Sequence, residues 1–324
     1  MNFEQFIEKI KTALRDYFGE EAEIKTHQVY KNNGVLLQGV CALEKGKNIA
    51  PTVYLNDFYE KYEQGAAFGE LVRKIVQFME NNRVTSDLNV DFFMDYKKIK
   101  KKLVLRLINR EQNEELLKQI PYLKFKDLAI VCHCILITEE IGTGSILIYK
   151  HHLEAWNIGE DILFQDAFEN SPKIEPYCIL KISDMMKEVL KRTIEERIDE
   201  ICEEYETDKT ELLNRTLENM AQELEEKNIP MYVLTNQNRY YGAASLVYPG
   251  MLEKIGDILQ EDYYVLPSSV HEIIFVGKTY CMDSFVLNEI IEEINRTQVM
   301  EEEWLSDHTY LYQRKEKNLI SVLN

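Results

Sequence analysis

Asn33-Gly34 is the local signal that restricts this chain most. It stands between two runs, "AEIKTHQVY" and "VLLQGVCALEKG", that read as strands. Asn and Gly both tolerate positive φ, which the primed turns of tight hairpins demand. Residues 22–44 are therefore expected to form an antiparallel hairpin. Just upstream, Phe3, Phe6, Ile7, Ile10, Leu14 and Tyr17 recur at helical spacing, and Gly19 stands where a C-terminal cap belongs.

The rest of the chain repeats this mixture. "PTVYL" offers a third strand, and Asn56 is placed to cap a helix over "DFYEKYEQG" that Gly65 would stop. A longer helix carries Leu71, Val72, Ile75, Phe78 and Met79 on one face. "KKLVLRLIN", "DLAIVCHCILI" and "GSILIYK" read as strands, with "EQNEELLKQI" and "HLEAW" as short helices. After Pro230, "MYVLT" and "AASLVYP" flank the polar turn "NQNRYYG". "GMLEKIGDIL" follows as a helix, then the strands "DYYVLP" and "HEIIFVG". The helix "SFVLNEIIEEINR" points Phe285, Leu287, Ile290, Ile291 and Ile294 inward, and "DHTYLYQR" closes the chain as a strand.

Residues 184–227 differ from the rest, with 15 acidic and 7 basic residues and a net charge of −8. Two sparse stripes, Ile194, Ile198, Ile201, Tyr205 and Leu213, Leu217, Met220, Leu224, predict two charged helices. Asp208 with Glu211 three residues later resembles a capping box that would open the second. The expected fold is α+β: mixed or antiparallel sheets covered by helices, in two lobes, residues 1–183 and 229–324, joined by the acidic helical segment 184–228.

The chain has 324 residues, enough for one or two cores. With 38 basic and 56 acidic residues, its net charge of −18 repels phosphate backbones and anionic lipid. Direct nucleic-acid binding is not expected. An acidic mimic of nucleic acid would need its carboxylates on one continuous face. "MNFEQFIEKIKTALRDYFGEE" lacks the basic leader and apolar stretch of a signal peptide, and no apolar run has the length of a membrane span. A cytoplasmic protein without membrane association is the expectation. The six cysteines are scattered without a C-x-x-C pair, the pattern of reduced, mostly buried thiols.

Chemistry concentrates in two stretches. In "LPSSVHEIIFVG", residues 266–277, extended backbone would put Ser269 and His271 on one face. A catalytic serine needs a strained elbow and oxyanion donors, and no G-x-S-x-G is present. Ser268 and Ser269 instead suit a turn in which their hydroxyls bond backbone groups. "WLSDHTY" adds Ser306, Asp307 and His308; a hydrolase built from Ser269, His271, Asp307 and His308 is the alternative reading. In "CHC", Cys132 and Cys134 share one strand face and His133 takes the other, so the three cannot grip one metal ion. "GTGS" lacks the lysine of a phosphate loop. No metal and no cofactor are expected. Tyr54, Phe58, Tyr59 and Tyr62 are numerous enough to line an apolar groove.

"KNNGVLLQGV", "NIAPTVYLNDFYEKYEQG", "IPMYVLTN", "YGAASLVYP", "LPSSVHEII" and "INRTQVMEEEWLSDHTYLY" together resemble a family of uncharacterised bacterial proteins, domain of unknown function 5688. The resemblance runs from about His27 to Tyr312 and is weakest over 184–227. It implies a Firmicutes origin, often near mobile or conjugative elements, and no particular activity. Mapped here, its recurring blocks include Asn56, Asn236, Ser268, Ser269, His271, Glu272, Gln298, Ser306, Asp307 and His308. With Tyr59 these supply the candidate binding residues Asn56, Tyr59, Asn236, Ser268, Glu272 and Gln298. The expected function is a non-catalytic interaction or regulatory protein of a mobile element, with a protein partner.

Overall fold

The computed structural model describes residues 1–47, 50–83, 91–138, 142–184, 231–280 and 284–322. Residues 185–230, and with them nearly all of the expected acidic helices, lie outside the described residues. The chain divides into two compact units. One holds residues 1–103, 112–121 and 132–166, the other residues 104–111, 122–131 and 167–324.

In the first unit, α1 (Phe3–Phe18) starts with a reciprocal cap: Asn2 Oδ1 accepts from Gln5 N at 2.9 Å, and Gln5 Oε1 accepts from Asn2 N at 3.2 Å. The hairpin follows at its expected limits, β1 (Ala22–Tyr30) against β2 (Leu36–Glu44), in register from Ala22↔Glu44 to Tyr30↔Leu36. Asn33 and Gly34 take φ of 61° and 69°. Asn33 is then pinned from outside the turn, its N–H and side chain bonding Asn113 at 2.9 Å each.

β3 (Thr52–Tyr54) pairs with β2, and α2 (Asn56–Glu63) and α3 (Phe68–Asn81) follow. Asn56 departs from the expected cap. It is the first helical residue, and its Oδ1 accepts from Gln38 N at 2.8 Å while Leu55 N donates to Gln38 O at 2.8 Å. A side-chain amide thus extends the β2–β3 ladder by one rung after the backbone has turned away. Tyr59 packs its ring on Phe3 and Phe6 and donates its hydroxyl to Met1 O. The core joins Phe6, Ile10 and Leu14 of α1 to Leu71 and Ile75 of α3 over Val40 and Val53 of the sheet. Each such side chain contributes about 1.5–3 kcal/mol on burial.

A second sheet has the order β4 (Leu103–Asn109), β6 (Leu128–Thr138), β5 (Tyr122–Phe125), with β7 (Gly142–Leu147) also paired to β6. β4 is buried from Leu103 to Ile108, on both faces rather than one. Short helices α4 (Tyr96–Ile99), α5 (Glu114–Leu117) and α6 (Lys150–Trp156), and the longer α7 (Glu160–Ile174), complete this part of the chain.

The second unit is built on a six-stranded antiparallel sheet. Besides β8 (Tyr177–Lys181) and β9 (Met231–Asn236) it contains β10 (Tyr263–Leu266), β11 (Ile273–Gly277), β12 (Tyr310–Gln313) and β13 (Asn318–Ser321), in the order β13-β12-β10-β11-β9-β8. β8, which precedes residue 183, pairs with β9 from Tyr177↔Asn236 to Lys181↔Tyr232. The helices are α8 (Met251–Leu259) and α9 (Ser284–Gln298). From α9, Leu287 and Ile291 are buried against Tyr264, Leu266 and Val276. The strand-like "AASLVYP" folds instead as a 3₁₀ turn over Gly242–Val247. A Cβ on Gly242 would lie 2.5 Å from Asn236 N and 2.7 Å from His271 O, so the chain turns sharply where only glycine fits.

Candidate functional site

Three loops of the second unit meet around His271. The first leaves β9 through Asn236, a buried residue whose Oδ1 accepts from Tyr240 N at 3.2 Å and whose Nδ2 donates to Tyr240 O at 2.8 Å. This clamp holds Arg239 and Tyr241 in the left-handed region, at φ of 52° and 53°. The second loop, 267–272, lies against the third, which precedes β12. Leu305 N donates to Ser268 O, Ser306 N to Pro267 O and Val270 N to Glu303 O, at 2.9–3.1 Å. Ser268 and Ser269 are buried. Ser269 Oγ accepts from the backbone N–H of His271 at 3.1 Å, the local serine turn that the sequence predicts.

His271 is bound on both ring nitrogens. Nδ1 accepts from Tyr241 N–H at 3.1 Å, and Nε2 lies 3.0 Å from Glu303 Oε1. An imidazole nitrogen that accepts an amide proton carries none itself, so the ring proton sits on Nε2 and is donated to the carboxylate. The ring stacks on Tyr240 at 5.2 Å and tilts over Tyr241 at 5.5 Å. Arg106, on β4, lies 5.1 Å from the Tyr241 ring and makes a two-pronged ion pair with Glu175. Arg106 and Glu175 are both buried. Burial pushes the Tyr241 phenol up to about 12, with Tyr240 adding to the rise. A continuous chain, Glu175–Arg106–Tyr241–His271–Glu303, therefore ties β4 and the end of α7 to all three loops.

The remaining expected residues fall around this chain. Ser306 Oγ donates to Asp127 Oδ2 at 2.6 Å and accepts from His308 N at 2.9 Å; Tyr310 OH donates to the other oxygen of Asp127. Asp307 takes a hydrogen bond from Asn295 Nδ2 at 2.6 Å. The side chain of His308 is exposed, Glu272 is half-buried, and Gln298 is the last residue of α9. The structure thus brings Ser269 to the backbone of His271 and His271 to Glu303. Asp307 and His308 belong to the turn that Ser306 and Asn295 organise.

Sequence reasoning passed over Arg106, Glu175, Tyr241, Glu303 and Asp127. Arg106 was detectable: a cation inside the apolar run "LVLRLI" has to find a buried partner. Glu303, third in a run of three glutamates, gave no signal that set it apart from its neighbours.

Beside this chain the surface opens into a recess of about 280 Å³. Phe125, Ile130, Phe168, Leu246, Tyr248 and Met251 line it, and Glu253 supplies a charge. Tyr248 OH donates to Glu175 O at 3.1 Å, connecting the recess wall to the Arg106–Glu175 pair. Among the described residues no group of three or more His, Cys, Asp or Glu is placed to hold a metal ion, and no helix is long and apolar enough to cross a membrane. Burial raises the thiols of Cys132 and Cys134, the latter to about 11, as suits core packing.

No curated protein and no solved structure matches this chain. Its sequence does match one family over nearly its whole length, residues 3–314, and on that basis the chain belongs to the family of unknown function DUF5688.

Proposed function

We propose that this is a cytoplasmic, non-catalytic interaction protein with a regulatory role in a bacterial mobile element, and that its partner is a protein. The observation that carries the reading is the state of His271. A general base needs a ring nitrogen free to take a proton from a nucleophile or from water. Here one nitrogen accepts a backbone N–H and the other faces a carboxylate, while the candidate nucleophile two residues earlier, Ser269, is bonded to a backbone amide. These groups support loops rather than a reaction. The recess lined by Leu246, Tyr248 and Met251 suits an apolar side chain of a partner.

The test is affinity capture from the native host with the wild-type chain and with Val247→Glu and Leu252→Glu, both half-buried on the lining of the recess. A discrete partner retained by wild type and lost from both variants, at unchanged melting temperature, is the expected result. Capture that ignores both variants, or hydrolysis of an ester or phosphodiester reporter that disappears in His271→Ala, would overturn the reading.

A further inference from the structure

The first unit carries a surface at odds with the acidic character of the chain. Residues 97–102 read "KKIKKK", five lysines in six positions. Ile99 is buried and anchors the stretch; Lys97, Lys98, Lys101 and Lys102 are exposed. Directly against it lies a run of rings. Lys102 Nζ sits 5.0 Å from the centre of Phe92. Phe92 meets Phe93, which meets Trp156 at 5.3 Å and His152 at 4.9 Å. Tyr96, next to Lys97 in the chain, lies 5.7 Å from Trp156. His151 is 4.1 Å from His152 and stacks on Tyr149 at 5.4 Å, with its own side chain exposed. The rings are fixed in place: Trp156 Nε1 donates to Phe93 O at 2.8 Å, Tyr96 OH to Asp166 at 2.6 Å, and Tyr149 N to His152 Nδ1 at 3.0 Å.

Exposed cations beside preformed, half-exposed ring faces are the two elements that single-stranded nucleic acid needs: phosphates pair with the lysines and unstacked bases lie on the rings. A duplex hides its base faces and would meet only the lysines. We propose that this lysine–aromatic surface, Lys97, Lys98, Lys101 and Lys102 with Tyr149 and His151, binds single-stranded nucleic acid. The net charge of −18 does not decide the matter. Residues 184–227 account for −8 of it. Screening at physiological ionic strength acts over about 8 Å, so a ligand on this surface responds mainly to the charges beside it. Those include Asp95, 3.9 Å from Lys98 Nζ, and Asp166, which accepts from Tyr96 OH.

The experiment is a fluorescence-anisotropy titration of the full chain into a labelled oligo-dT of about 15 nucleotides, the length one single-strand site spans. Repeating it at about 50 and about 200 mM salt gives the charge contribution, expected as a log–log slope of about −2 to −3 for three to four phosphate contacts. Lys97→Glu with Lys101→Glu should weaken binding at least about tenfold and flatten that slope. His151→Ala should weaken it about fivefold or more and leave the slope unchanged, because stacking rather than charge is removed. The same sequence as a duplex should bind about tenfold more weakly. Melting temperatures equal to wild type exclude misfolding as the cause. The proposal fails if no binding occurs at about 100 µM protein, the weak end of non-specific affinities. It also fails if the lysine variant binds like wild type, if duplex binds as well as single strand, or if phosphatidylserine vesicles bind and the oligonucleotide does not.

Discussion

At the scale of single residues, the energetics centre on Arg106. It is 2% exposed, and among the described residues it rests on one carboxylate, Glu175, and its Nε has no hydrogen-bond partner. Burying this pair gains little against an apolar pair of the same volume, because both ions must shed water; removing one partner strands the other. Glu175→Ala is therefore expected to destabilise the protein by about 3–5 kcal/mol, whereas Arg106→Met with Glu175→Leu should stay within about 2 kcal/mol of wild type. Urea unfolding of the three proteins checks this, and a small effect of Glu175→Ala would show that the guanidinium finds other support. Arg106 was legible as a problem, a charge in an apolar strand, but its solution lies 69 residues away, at the end of α7, where sequence offers no pairing rule. The opposite holds for Ser269, whose partner is two residues on; its role as a turn former could be read directly.

At the scale of elements, the parts that announced themselves are those with a period and a stop. α1 shows helical spacing closed by Gly19, and the β1–β2 hairpin turns on Asn33-Gly34. "AASLVYP" misled because its composition favours a strand while its environment forbids one. The end of β9 and the carbonyl of His271 approach so closely that the chain has to curl into a 3₁₀ turn. Local preference of a fraction of a kcal/mol per residue yields to such contacts. Gly242→Ala is expected to destabilise by about 1–3 kcal/mol through overpacking, measured as a lower denaturation midpoint. An unchanged midpoint would mean that the turn can shift away from β9. Asn56 makes a related point: its type suited a cap, but the unpaired amide of Gln38 claimed its side chain.

At the scale of the molecule, the α+β class followed from the alternation of signals along the chain, and antiparallel sheets with helices bear it out. What could not be foreseen is how the chain weaves. β8 and β9 lie on opposite sides of residues 185–230 in sequence, yet they are neighbours in one sheet. The first unit likewise draws on three separate stretches. Strand partners so far apart in sequence are set by the whole sheet, not by any local code. The candidate site shares this property, since its five linked residues come from β4, the end of α7 and three loops.

His271 braces these loops rather than equipping them for a reaction. Long-range ¹H–¹⁵N NMR of the His271 imidazole tests that directly. The expected result is a proton on Nε2, bonded to Glu303, with Nδ1 unprotonated and accepting from Tyr241. A proton on Nδ1 with Nε2 free and open to solvent would give the ring the vacant basic nitrogen of a catalyst, and would contradict it.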